Sequence, residues 1–301
     1  MPALAVPRSR IPSSTRIVAE GEPLPYVDVA TPLAAARVFF QGAQVTHWQP
    51  SHMPQPVLWL SAHSHFRAGR AIRGGVPVCY PWFGPHPSEP GAPAHGLARL
   101  TEWTLIDASE SSDGTTALAF AIETAPATSP AWPQRSRVVL GVSIGHTLRM
   151  DLTVENRDET PFSFEEALHT YFAVDDVARI GIAGLEGREY LDKVEGFAHK
   201  RQPQEPIRFS GETDRVYLDT TAACRIADPG FGRTIVVAPA GSRSTVVWNP
   251  WSDRARAFTD FGDEEWRRMV CVETANVRDA AIRLEPGASH TMRAEISASP
   301  A

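Results

Sequence analysis

A single carboxylate stands inside the stretch "RRMVCVETANV". Glu273 interrupts a run that is apolar on both faces, with Met269 and Cys271 on its own side and Val270 and Val272 on the other. A strand buried on both sides rarely carries a carboxylate unless an ion pair or a function requires it. Burial raises such a pKa and a nearby cation lowers it, so a tuned, buried Glu suits a general base. A structural ion pair with an arginine is the competing role. In "FSFEEALHTYF", alternation predicts two faces. Phe162, Phe164, Leu168 and Phe172 form a core face. Glu165, Ala167, His169 and Tyr171 form the other, too polar for a core and too aromatic for an ordinary solvent face. A concave ligand-binding surface carrying His169 fits that mixture, and a core histidine bonded to backbone is the alternative.

A second group of residues suits anion and hydroxyl binding. "IRGGVPVCYPWFG" is followed by "PAHGLAR". Arg73 and Arg99 could hold an anion, His95 could hydrogen-bond a polar ligand, and Trp82 or Phe83 could stack on its flat face. Gly74 and Gly75 would let the chain turn and approach a ligand, and the prolines would restrict the loop. A proline-rich surface loop with stray basic residues is the plainer reading. Asp214 in "GETDRVY" is either a turn residue or an acceptor for ligand hydroxyls. "WNPW" reads as a turn with buried indoles, with a stacking platform as the alternative. His63, His65 and His86 lack the Cys or carboxylate partners at fixed spacing that a metal site needs. No GxGxxG or GxxxxGK occurs, so nucleotide binding has no local support.

The elements that must position these residues are strands. The 301 residues are 43% hydrophobic and 21% charged, a globular composition. Short β-like runs are broken by Gly, Pro, Asp and Asn. Leu148, Met150, Leu152 and Val154 alternate on one face, "SSDGTT" reads as a hairpin turn, and no apolar pattern of helical period and length occurs. These signals predict an all-β chain forming one large antiparallel sandwich. Residues 1–22, rich in Pro, Ser and Arg, are expected to be a flexible or loosely docked N-terminal arm, and 23–301 a single domain. A net charge of −6 argues against a nucleic-acid surface. Three cysteines without CxxC spacing favour neither disulfides nor zinc. Without a signal-like or membrane-spanning stretch, a cytoplasmic monomer is expected, with a small molecule as its partner and neither nucleic acid nor membrane.

Taken together, the chain resembles the aldose 1-epimerase (galactose mutarotase-like) family, in its hexose-6-phosphate mutarotase branch. "AIRGGVPVCYPWFGPH", "PAHGLARLTEW", "EEALHTYF", "GETDRVY", "VVWNPW" and "MVCVETANV" carry the resemblance, in the family's order. It implies a β-supersandwich, a cleft on one concave sheet face, and neither metal nor cofactor. His169 in "ALHTYF" and Glu273 in "CVETAN" match the catalytic histidine and glutamate. Arg73, His95, Arg99 and Asp214 match substrate contacts. "HGLAR" departs from the family's "HGFAR", and Ala94 replaces a polar residue found in some members; both bear on substrate fit.

The implied reaction interconverts the α and β anomers of a hexose 6-phosphate, most simply D-glucose 6-phosphate, by acid–base ring opening and re-closure. Glu273 would be the base and protonated His169 the acid, and their approach would hold both in the charged form. Arg73 and Arg99 favour a sugar phosphate. The alternatives are an epimerase of non-phosphorylated hexoses, and a non-catalytic sugar-phosphate-binding regulatory protein.

Overall fold

The computed structural model describes residues 2–127 and 130–301, and strands dominate it. One eight-stranded sheet runs, in hydrogen-bonded order, Gly181–Ala183, Cys224–Asp228, Arg233–Ala240, Ser289–Pro300, Leu148–Asn156, Ser136–Ile144, Thr116–Thr124 and Thr104–Glu110. All its ladders are antiparallel. The alternation predicted for 148–154 is realised there. Leu148, Met150, Leu152 and Val154 are fully buried while the residues between them are part-exposed, as one face against a core and one towards water requires.

The second large sheet carries the chemistry-bearing strands. Its order is Ala198–Arg201, Glu189–Asp192, Thr213–Tyr217, Ser244–Asn249, Met269–Asn276, Glu166–Leu168 and Val78–Cys79, with Tyr171–Ala173 also paired to Met269–Asn276. All eight residues of Met269–Asn276 are buried, matching its apolar character on both faces. A four-stranded sheet, Thr15–Val18, Tyr26–Ala30, Ala34–Phe39 and Val45–Pro50, completes the molecule with the two-stranded pair Phe162–Phe164 and Ile282–Leu284. One continuous apolar cluster joins side chains of all three larger sheets, including Val38, Trp48, Leu152, Phe172, Val270 and Met292. The all-β expectation therefore holds. One α-helix, Trp251–Arg256, is found among the described residues. No helix of these residues is long and apolar enough to cross a membrane.

Two expectations need refinement. The segment 1–22, expected to be flexible or loosely docked, is held in part by strand pairing. Residue 1 lies outside the described residues, but Thr15–Val18 pairs along its length with Tyr26–Ala30, Val6 is buried, and Leu4 bridges Leu105. The Pro- and Ser-rich composition hid a short edge strand. The "FSFEEALHTYF" stretch is not one strand. It breaks into Phe162–Phe164, Glu166–Leu168 and Tyr171–Ala173: at the first break the Glu165 carboxylate accepts the backbone N–H groups of Phe83 and Arg278 at 2.9 and 2.6 Å, and at the second the Thr170 N–H turns back to the Leu168 carbonyl at 2.9 Å.

Gly75 also acts differently from expectation. Its φ is +61°, and a Cβ there would lie 2.2 Å from the Val45 carbonyl oxygen. The glycine lets the loop pack against neighbouring backbone, which fixes the start of the cleft wall from behind.

Candidate active site

Cross-strand register on the second large sheet builds the floor of a cleft. Asp214, Trp248, Cys271 and Tyr171 are directly opposed in one row across four strands. Val216, Val246 and Glu273 form the next row. Opposed residues share a face, so Asp214 and Glu273 project from one sheet surface although they are distant in sequence. His169 follows the strand Glu166–Leu168 and is pinned by its own N–H, which donates to the Pro77 carbonyl at 3.0 Å.

These strands bring His169 Nε2 to 3.3 Å from Glu273 Oε1. Glu273 is 1% exposed and His169 7%. Tyr171 stacks on the His169 ring at 13° and 4.9 Å between centroids, and Trp248 meets it edge-on at 6.0 Å. The pair lines a cleft of about 650 Å³, within the usual size for a small-molecule site.

The electrostatics reverse one expectation. Burial dominates both groups. It raises the Glu273 carboxyl well above its ordinary value, and Lys193 and Arg99 only partly oppose this. Burial, then the charges of Arg99 and Arg73, hold His169 well below its ordinary value. Both shifts run towards the neutral forms, so desolvation opposes the charged pair that mutual attraction would favour.

His95 lies beside the pair, its ring centroid 5.6 Å from that of His169. Burial, then Arg99, keeps it neutral. Its Nδ1 accepts from the Gly84 N–H at 3.4 Å and lies 3.6 Å from Cys79 Sγ, whose thiol burial pushes up and so keeps protonated. Both neighbours are donors to Nδ1, so the ring proton resides on Nε2 and is available to donate. His95 has φ +63°, unusual for a residue with a side chain. Gly96 behind it has φ +78°, and a Cβ there would sit 2.0 Å from the Tyr80 carbonyl oxygen.

Arg73, Arg99, His95, Asp214 and Phe83 all line the same cleft as His169 and Glu273. Trp82 does not. It is buried, its indole N–H donates to the Pro93 carbonyl at 3.0 Å, and its ring packs on His86. Of that pair, only Phe83 lines the cleft.

Arg73 is not free. Its guanidinium bonds Asp260 at 3.0 Å and the Tyr171 hydroxyl at 3.2 Å. Arg99 donates to the Ala94 carbonyl at 2.7 Å, and its Nε has no partner among the described residues. Lys193 pairs with Asp214 at 2.7 Å, leaving Asp214 Oδ1 buried and unpartnered.

Sequence reasoning missed Lys193, Arg254 and Phe258, all of which line the cleft. For Trp248 it offered a turn indole, with a stacking platform as the alternative; the residue lies in the strand Ser244–Asn249 and lines the cleft. The one usable signal for Lys193 was rarity, since the chain has only two lysines.

A model of the family described as aldose 1-epimerase matches residues 30–297. The chain belongs to the aldose 1-epimerase family. Relatives in that family include a protein of Escherichia coli K12, 37% identical over 84% of this chain and 83% of its own length, and one of Cenchrus ciliaris, 36% identical over 88% and 82%. Both are named "Putative glucose-6-phosphate 1-epimerase". The crystal structure of a "putative mutarotase" from Salmonella typhimurium superposes with a TM-score of 0.86 at 30% identity, covering 95% of this chain and 97% of that one. The supersandwich expected from the resemblance is thus the fold of the family.

Proposed function

We propose that this chain interconverts the α and β anomers of a hexose 6-phosphate, D-glucose 6-phosphate foremost, by acid–base opening and re-closure of the ring. Family membership and the relatives' names support the reaction type. The observation that carries it is the buried His169–Glu273 pair at 3.3 Å, in a cleft whose walls hold Arg73, Arg99, Lys193 and Arg254. No metal or cofactor is part of this reading.

In the opening step the C1–O5 bond breaks and its electrons pass to O5. Glu273 takes the proton of the C1 hydroxyl, which becomes the aldehyde oxygen, and His169 gives a proton to O5. The pair must hold its proton on His169 for this step. Transfer across the 3.3 Å contact supplies that form, and a bound phosphate dianion favours it by offsetting the surrounding cations. After opening, the site holds a protonated Glu273 and a neutral His169. That is the distribution burial favours, so the enclosure stabilises the open-chain intermediate. Rotation about C1–C2 and the reverse transfers close the ring to the other anomer. Each positioned group contributes roughly 10²–10⁴-fold. His95 Nε2–H donates to a ring or neighbouring oxygen, Asp214 Oδ1 accepts a sugar hydroxyl, and Phe83 with Trp248 covers apolar C–H faces.

A second reading, a neutral aldose as substrate, draws on one observation. Two of the four cleft cations are already paired, Arg73 with Asp260 and Lys193 with Asp214. Polarimetry on freshly dissolved α-anomers tests both. Faster equilibration of glucose 6-phosphate than of glucose supports the first reading, the reverse order supports the second, and rates equal to buffer for both sugars reject catalysis.

A further inference from the structure

One fully buried side chain beneath the cleft floor has no part in the proton chemistry. Cys271 occupies the register row between Trp248 and Tyr171, two residues before Glu273 and on the same sheet face. Its Sγ, a nitrogen of His169 and a carboxylate oxygen of Glu273 all lie within 4.8 Å of one another.

Tetrahedral zinc bound through N, O and S at about 2.0–2.3 Å sets ligand pairs about 3.3–3.7 Å apart. The His169–Glu273 contact already has that spacing at 3.3 Å. The remaining pairs need to close by roughly 1.3 Å or less, within reach of side-chain rotation. One thiolate, one carboxylate and one neutral imidazole neutralise a divalent ion, so the filled site leaves no net charge to bury. Three protein ligands plus an open fourth position describe a zinc site accessible to solvent, and the cleft provides that opening. Thiolate with imidazole selects zinc over magnesium or calcium, which require oxygen ligands.

We propose that His169, Cys271 and Glu273 form an inhibitory site for a borderline-soft divalent metal ion, zinc foremost. The ion takes the acid, the base and the adjacent thiol together, so a filled site cannot open a sugar ring. Arg73, Arg99 and Lys193 repel a bare cation approaching through the same cleft, which places affinity nearer the micromolar range than the tight binding of a closed structural site. The inhibition rests on the catalytic reading given above; the binding does not.

The test uses the chelator-stripped, full-length protein. Zinc sulfate is expected to inhibit equilibration of glucose 6-phosphate anomers at about micromolar concentration, reversibly on adding EDTA, with no effect of magnesium. Cys271→Ser should keep basal activity within about two-fold and require at least about 10-fold more zinc, since one of three ligands is gone. Cobalt(II), added one per chain, should give a near-ultraviolet thiolate-to-metal band in the wild type and none in Cys271→Ser. Equal zinc sensitivity of the two proteins, or a band that survives Cys271→Ser, overturns the proposal. Loss of the band in Cys79→Ser instead would move the ion to His95 and overturn it too. Cys271→Ala serves if the serine variant fails to fold. The cobalt band reads the site even if no sugar is turned over, so failure of the catalytic reading and failure of the metal site remain distinguishable.

Discussion

The Arg73 guanidinium lies 3.0 Å from the Asp260 carboxylate, so one wall cation of the cleft is ion-paired before any ligand binds. Arg99, by contrast, spends one bond on a backbone carbonyl. A phosphate must compete with Asp260 for Arg73 but not for Arg99. Arg99→Leu is therefore expected to raise KM for glucose 6-phosphate by about 10–100-fold, the loss of one charge-assisted bond, with little change for glucose. Asp260→Asn should lower KM for the phosphate sugar by freeing Arg73. Steady-state polarimetry on both sugars checks the pair, and an unchanged KM in Arg99→Leu would remove that residue from phosphate binding.

Glu273→Gln and His169→Asn each remove one proton-transfer group. Each is expected to lower kcat by at least about 10²-fold. The double variant should lose little more than either single one, because the two groups act as a unit. Multiplicative losses in single-turnover assays would show that they act separately.

The raised pKa of buried Glu273 gives its removal a pH-dependent effect on stability. Above the unfolded value near 4.5, the unfolded chain releases this proton while the native state keeps it. Native stability therefore falls as pH rises from there through the folded pKa. Gln lacks that loss. Tm of Glu273→Gln should exceed that of the wild type by about 2 °C or more at pH 8, and the gap should close by about pH 4.5. A gap independent of pH would mean that Glu273 is not held protonated in the native state. His169 gives the opposite trend. Its folded pKa is depressed, so its contribution is present above about pH 6.5 and is lost as pH falls.

The donors to Nδ1 make His95 a donor through Nε2. Gln places an amide N–H near the Nε2 position and Asn does not. His95→Gln should retain about 10-fold more kcat/KM than His95→Asn, roughly the value of one hydrogen bond to substrate. Equal losses would argue against a directed Nε2–H.

Gly96→Ala should destabilise strongly, on the order of 3 kcal/mol, because the new Cβ meets backbone at 2.0 Å in a left-handed conformation. Thermal unfolding monitored by circular dichroism reads this directly.

How much of this was legible beforehand depends on the physical range of each signal. Alternation is local, so Leu148 to Val154 could be read directly. Glu273 was legible because a carboxylate in a two-sided apolar run violates a local rule. The Arg73–Asp260 pair was not, because it depends on the fold of the 251–268 segment. Trp82 and Phe83 are adjacent aromatics on one loop, and composition could not say which faces the cleft. The dominance of desolvation over attraction at His169 and Glu273 also escaped, because desolvation depends on the whole surrounding shell. The Thr15–Val18 edge strand was masked by its Pro- and Ser-rich neighbours.

The placement of Glu273 has a kinetic consequence. Its strand, Met269–Asn276, is wholly buried and is paired with Ser244–Asn249 on one side and with Glu166–Leu168 and Tyr171–Ala173 on the other. Backbone amides so enclosed exchange with deuterium only when the whole molecule opens. Arg254, Phe258 and Asp260 instead belong to a short helix and turns, joined to the sheet by few ladder bonds. The base is thus anchored in a segment expected to exchange slowly, and part of the ligand-facing wall in one expected to exchange faster, which hydrogen–deuterium exchange can compare. Movement of that wall would admit and release sugars with no loosening of the strand that carries the base.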